Sequence, residues 1–484
     1  MSGVAGVVAL ALVAIVNTDQ VPLRAAASAQ AAQQTVLTQG DSLEVRGRRH
    51  EYLQVWDHRR ERGGFVRASQ VRVHDLVPAQ ADALRAHVRF LRDSPGLETQ
   101  GIAYVAAFLK AAPVEAIDAE VFDALGSMAE RLARRAAAAR GRAPDPLLAA
   151  QLEAAAAYGI TLRSVDRGPV GGRVQLCYDG DAWRQALARQ PSSTLQARAV
   201  LALTRHDCID PGLPVVERQL LDRWRAQQLE RIDLASLPEH EKNRVRLRRA
   251  GVWAALAHDV ARRGEDATVP GQRALESLAA VTRSELAESD LAEYAEAAVR
   301  LGASRWAAES APSAPRPGLR VTIEEADPKQ PGQSCVLLTD TRRKASAVLA
   351  RRCTYGVVWT ASLQVNAQGT AATLAVQPLA AWRELWLLHK TGDGKGGDHW
   401  RIDVLAPGTD GPDVGYLEAA GWSPDGTRLL TARETVVDGR HRRSFEVLRI
   451  STLAVERRAD HPEALSAFAR GQSAGWKRMT VALR

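Results

Sequence analysis

The chain of 484 residues contains four cysteines, Cys177, Cys208, Cys335 and Cys353, and no two of them form a C-x-x-C pair. A zinc ribbon and a thioredoxin-type motif are thereby excluded. The 11 histidines are scattered, with no pair at metal-ligand spacing, so neither a metal nor a cofactor is expected. Aromatic residues make up 5% of the chain and do not alternate with a basic stripe, so no nucleic-acid groove is expected. The opening apolar run, Val4 to Val16 broken by Gly6, falls short of the roughly 20 residues of a membrane span.

What the chain does have is apolar material and arginine. Hydrophobic content of 46% and charged content of 25% are those of a globular protein, and this length predicts two to four domains. The net charge of +8 comes mostly from arginine, in runs such as Arg46-Gly47-Arg48-Arg49 and Arg59-Arg60-Glu61-Arg62 that are interleaved with acids. Such a balance suits nucleic acid, anionic lipid or an anionic polymer such as cell wall, but an Arg-rich composition is the simpler reading. An even cysteine count fits an oxidising compartment, and four cysteines allow three pairings. Each of the pairs Cys177–Cys208 and Cys335–Cys353 falls within one inferred domain, so these are the expected disulfides; the alternative is four free buried thiols.

Residues 1–14 read as a signal-peptide-like apolar segment, although no Lys or Arg precedes the run. The missing basic start suggests that the natural start lies upstream of Met1, with cleavage near Ala11 or Ala14. Cleavage after Ala27-Ser28-Ala29 is the competing expectation.

Residues 15–77 carry an ordered set of short motifs. Leu23-Arg24 ends a first strand, and a small-residue loop spans 25–30. Gly40-Asp41 makes a turn before Leu43-Glu44-Val45, followed by Tyr52-Leu53-Gln54-Val55 and Gly64-Phe65-Val66. In order and spacing this segment resembles a bacterial SH3 domain. The resemblance implies a small β-barrel that serves as a binding module for peptidoglycan or a protein partner. Its candidate ligand-binding rings are Tyr52, Trp56 and Phe65, which could stack on sugar or peptide or else fill the barrel core. Alternation sets Tyr52 and Trp56 against Leu53 and Val55, so Tyr52 and Trp56 are expected outside more than Phe65.

From 78 to 310 the period becomes helical. Ile102, Val105, Ala106 and Leu109 share one face, as do Trp253, Leu256, Ala257 and Val260. An all-α region of antiparallel helix pairs, or a short solenoid without a clear period, is expected. A Pro/Ser/Ala-rich linker over 311–320 leads to a β-rich segment, 321–484, which holds Trp359, Trp382, Trp386, Trp400, Trp422 and Trp476.

Within this segment the turn Asn366-Ala367-Gln368-Gly369-Thr370 is echoed by Ser423-Pro424-Asp425-Gly426-Thr427, roughly 57 residues on, each with strands after it. The second, in "WSPDGT", resembles the turn of TolB-like propeller repeats. A propeller needs at least about four blades, and this segment has room for about three. An antiparallel sandwich or a stack of blade-like sheets is therefore expected. The fold class is multidomain α+β: an SH3-like barrel, a helical region and an antiparallel β domain.

Motifs for chemistry fail on inspection. Gly471-Gln472-Ser473-Ala474-Gly475 fits a nucleophile elbow, but no acid or His follows Ser473 as that order requires. His240-Glu241 lacks the second histidine of H-E-x-x-H, with Arg244 in its place, and reads as a helix start after Pro238. The 392–399 loop lacks P-loop spacing and places Lys395 where a calcium loop needs an oxygen ligand, so it reads as a hairpin loop. Asp179 and Asp181 read as turn residues, with Asp181 as a helix N-cap. His206-Asp207-Cys208 is a dyad only if Cys208 is reduced.

The function expected is therefore that of a non-enzymatic cell-envelope binding or scaffold protein, periplasmic or secreted, with peptidoglycan or an envelope protein as partner. An envelope hydrolase with the SH3-like module as targeting arm is the alternative, and a cytoplasmic protein with four free thiols is a third class.

Overall fold

The computed structural model describes residues 12–139, 145–166, 174–309, 318–325, 329–342, 348–391, 399–408, 414–437, 440–474 and 476. The chain is mixed α+β and divides into two compact units, Met1–Leu213 and Pro214–Arg484. The division runs through the helical region, not along the edges drawn at 77/78 and 310/311, because the helices attach to two different sheets.

Unit 1 begins with β1 (Leu12–Val16), β2 (Val21–Arg24), β3 (Gln33–Leu37), β4 (Ser42–Arg49), β5 (Tyr52–Asp57), β6 (Arg62–Arg67) and β7 (Val71–Asp75). They form one seven-stranded sheet in the order β3-β2-β6-β5-β4-β1-β7. A closed barrel was expected; the sheet is open, with β3 and β7 as its edges. The weak point is the β2–β6 join, a single pair, Arg24↔Phe65. Inward residues from all seven strands still share one core, including Val16, Leu23, Leu37, Leu43, Val55, Val66 and Val71.

Strand β1 pairs with β4 and with β7, and the boundary drawn at residue 14 falls inside it. Ala14 and Val16 enter the sheet core, whereas Ile15 enters the core of the helices that follow. Burial on both faces explains why Leu12–Val16 is apolar throughout, since a strand covered on one side only would alternate.

The helices of unit 1 are α1 (Ala81–Arg92), α2 (Glu98–Ala111), α3 (Ala119–Ala139), α4 (Pro146–Ala157), α5 (Asp181–Leu187) and α6 (Ser193–Leu203). Between α4 and α5 lies a hairpin, β8 (Leu162–Asp166) and β9 (Val174–Tyr178), which corrects the all-α expectation for this region. The sheet is anchored to these helices at its Gly40-Asp41 turn. Gly40 has φ +90°, and a Cβ there would come 2.5 Å from the Thr99 carbonyl oxygen, so only glycine fits. The Tyr158 hydroxyl donates to the Gly40 carbonyl at 2.6 Å. Inside the helical layer, Glu98 is fully buried and neutralised by Arg131 (2.7 Å) and Arg135.

Unit 2 opens with α7 (Val215–Glu230), α8 (Glu239–Arg262), α9 (Thr268–Ala279) and α10 (Leu291–Ser304). The β-rich part follows. β10 (Leu319–Glu325), β11 (Ser334–Asp340) and β12 (Ala350–Thr354) make a three-stranded sheet. β13 (Val357–Val365), β14 (Ala371–Leu379), β15 (Trp382–Thr391) and β16 (His399–Leu405) form one antiparallel meander. β17 (Val414–Trp422), β18 (Arg428–Val437), β19 (Arg440–Arg449) and β20 (Val455–Ala459) form a second, joined to the first by a short parallel contact between β15 and β17. Each of the two repeat turns sits between the first and second strands of its meander. One core unites β10–β12 with one face of the first meander, through Val336, Leu338, Leu374 and Trp386. A second core unites the first meander with the second through Leu385, Leu387, Leu417 and Leu429. The described strands form no closed propeller.

The two repeat turns touch. Gln368 Nε2 donates to the Pro424 carbonyl at 2.9 Å, and Asn366 Nδ2 to the Gly426 carbonyl at 3.3 Å. Both turns place glycine at positive φ, +66° at Gly369 and +68° at Gly426. Helix α10 docks on the sheet through a buried charge cluster: Glu418 receives Arg305 Nε (2.9 Å), Arg383 (3.1 Å) and the Trp476 indole N–H (2.8 Å). Arg383 is fully buried, also donates to the Gly302 carbonyl at 2.7 Å, and is pushed down to about 10 by that burial.

Candidate functional site

Strand register brings the three candidate rings onto one face of the N-terminal sheet. Three rows cross it: Arg49–Tyr52–Arg67, then Gly47–Gln54–Phe65–Arg24, then Glu44–Trp56–Gly63. Leu53 and Val55 point the other way, into the core. Phe65 therefore shares the outer face with Trp56, and both are half-buried.

Tyr52 departs from the expectation. It lies on the same face by register yet is only 3% exposed. The Arg67 guanidinium lies 5.8 Å from its ring centroid, and Arg67 Nε donates to its hydroxyl at 3.1 Å. A long arginine stem covers an aromatic ring that alternation alone would leave in solvent. Tyr52 is therefore buried beneath the face, and the candidate rings left partly exposed there are Trp56 and Phe65.

Each of these rings also carries a guanidinium: Arg46 stands 4.5 Å from the Trp56 centroid and Arg49 5.8 Å from that of Phe65. Arg46 also pairs with Glu44 at 3.1 Å. That hydrogen bond, then one from His58, holds the Glu44 carboxyl below its usual range, so it stays ionised. Arg67 has only a 3.8 Å contact to Glu51, and Arg49 has no ion pair among the described residues. Gly63 gives the Trp56 ring its place, since an added Cβ would come 3.2 Å from Cε3.

The turn beyond Trp56 is locked from beneath. Asp57, 2% exposed, accepts from the backbone N–H of Arg59 (3.0 Å) and Arg60 (3.2 Å) and pairs with the Arg60 guanidinium at 2.7 Å. Asp41 receives Arg59 and Arg60, each at 3.0 Å. Sequence reasoning found the rings and missed Arg24, Arg46, Arg49 and Arg67. The signal for Arg46 and Arg49 was present in the run Arg46-Gly47-Arg48-Arg49, which was set down to composition.

No family model matches the chain, and no similar curated protein or solved structure was found.

The remaining candidates resolve locally. Cys177–Cys208 and Cys335–Cys353 are disulfides, the second joining residues directly opposed on β11 and β12, and two disulfides fit an oxidising compartment. Cys208 is therefore no nucleophile. Asp179 accepts from the Asp181 backbone N–H at 3.0 Å, and the cap of α5 is Gly180, with Asp181 its first residue; the N-cap assignment moves by one. Ser473 takes a backbone N–H from Trp476 at 3.0 Å, a turn contact. His240 is exposed in the first turn of α8, after Pro238. Of the 392–399 loop, residues 392–398 lie outside the described residues, and His399 opens β16, which pairs with β15. Among the described residues no group of three His, Cys, Asp or Glu could hold a metal, and no helix is long and apolar enough to cross a membrane.

Proposed function

We propose that this chain is an extracytoplasmic binding protein, non-enzymatic, whose N-terminal sheet acts as an SH3-like module on peptidoglycan or on an envelope protein. The observation that carries this reading is the outer face of β4–β6. Trp56 and Phe65 stand there on a rigid sheet, each with a guanidinium beside it, above a turn fixed by Asp41, Asp57 and Arg60. Half-exposed aromatic rings held on regular strands suit recognition of sugars and peptides, since they bury area on contact at small cost in side-chain entropy. The two disulfides support a compartment outside the cytoplasm, periplasmic or secreted. The helices and the two β meanders add surface for protein partners, with the meanders standing as blade-like sheets.

The test is retention of the full chain on purified insoluble peptidoglycan beside the variant Trp56→Ala. Retention that the variant loses supports the reading and locates the ligand. If both proteins stay in the supernatant, wall binding is wrong.

A further inference from the structure

We infer that the β4–β6 face recognises the carboxylates of wall peptides, and not glycan alone; this rests on the wall-binding reading above. The face presents Arg24, Arg46, Arg49 and Arg67 against Glu44 and Glu51. Its charge is positive after those pairings are counted.

The arginines are held in a useful way. A guanidinium within about 6 Å of a ring is attracted to its π face, and its planar fork can bind a carboxylate through two parallel hydrogen bonds. Arg49 is exposed, lies against Phe65 and has no ion pair among the described residues, so it is available without breaking an existing contact. Arg46 exchanges a solvent-exposed pair with Glu44, and such pairs hold weakly in water. Between them, in the Gly47–Gln54 row, there is no side chain on β4 and an exposed amide on β5, which leaves room and a hydrogen-bonding group for a peptide backbone. Peptidoglycan supplies the matching chemistry, because its stem peptides bear free carboxylates along a neutral glycan.

The experiment compares three preparations of insoluble wall with the full-length protein. One is native. One has its carboxylates converted to neutral amides with a carbodiimide and ethanolamine. One is treated with hydrofluoric acid, which removes phosphodiester polymers. Binding to native and acid-treated wall should be equal, and amidation should weaken it about tenfold or more, the loss of one charge-assisted contact. The double variant Arg46→Gln/Arg49→Gln should lose a similar factor on native wall and nothing further on amidated wall. Both positions are exposed, so unchanged melting would show that the variant folds.

Equal binding to native and amidated wall would overturn the carboxylate inference and leave wall binding standing. Loss on acid-treated wall only would assign the charge recognition to phosphate and overturn it too. A double variant that binds as the parent does would show that another surface is used. Failure to bind native wall would remove the underlying reading itself.

Discussion

Reduction of the two disulfides should cost each unit a measurable and separate share of its stability. Cys177 and Cys208 are 31 positions apart in unit 1, and Cys335 and Cys353 are 18 apart in unit 2. Loop-closure entropy then assigns about 3.5 kcal/mol to the first bond and about 3 kcal/mol to the second. For units of this size each kcal/mol is worth roughly 2–4 °C, so melting should fall by about 7–14 °C in unit 1 and about 6–12 °C in unit 2. The native contacts favour the upper half of the range at the first bond. Cys177 is fully buried on β9, and β8–β9 is a sheet of two strands, which has little stability by itself. The assay is calorimetry with and without dithiothreitol, alongside Cys177→Ala/Cys208→Ala and Cys335→Ala/Cys353→Ala, with hydrogen exchange to report each unit separately. Each double variant should loosen its own unit. If the reduced protein melts within about 2 °C of the oxidised one, the disulfides do little for the fold. Four alkylatable thiols in protein taken from its natural compartment would refute the extracytoplasmic assignment outright.

Glu418→Ala should destabilise unit 2 by about 3–5 kcal/mol, because it leaves the buried Arg305 and Arg383 without their shared carboxylate; urea unfolding measures it, and a loss under about 1 kcal/mol would mean that the cluster is solvated. Glu418→Gln should cost less, since it keeps an acceptor for the Trp476 N–H. Acid should loosen the sheet–helix junction of unit 1. His74 bonds the Tyr104 hydroxyl at 3.0 Å, and His87 stacks on that ring. Burial first, then the neighbouring His87 and Arg72, hold His74 below its ordinary value, with Asp75 opposing. The unfolded chain therefore takes up the proton first, and stability falls as pH drops below about 6.5. His74→Gln should flatten that part of the stability–pH curve, and an unchanged curve would contradict this account.

What could be read from the sequence was what local chemistry determines. Gly369 and Gly426 mark their turns because those positions need positive φ, and the echo of one turn in the other gave the repeated meander. That the two turns would clasp each other through Gln368 and Asn366 could not be read, since it depends on how one meander stacks on the next. The barrel expectation failed for a similar reason. Whether a sheet closes is decided at joins such as β2–β6 and at the edges β3 and β7, where residues far apart in sequence would have to pair. The β8–β9 hairpin was missed because two five-residue strands carry too short a pattern to stand out among alanine-rich helices. At the site, alternation identified the face, but it is blind to side-chain length, and so it left Tyr52 exposed where Arg67 covers it.

The same limit bears on the meaning of the positive charge. Composition treats all arginines alike, whereas the fold of unit 1 separates them. Some are held by buried carboxylates: Arg131 and Arg135 by Glu98, Arg198 and Arg92 by Asp123, Arg60 by Asp41 and Asp57. Burial enforces this matching, because an uncompensated charge in a core costs several kcal/mol. An arginine that stays outside is under no such constraint, and at the β4–β6 face Arg49 stands against Phe65 with no acidic partner among the described residues. If arginine content were only a habit of composition, nothing would set such a residue beside the Phe65 ring, whose row carries Gly47 on β4. The locally unbalanced part of the charge, and not the net +8, is what a partner would meet.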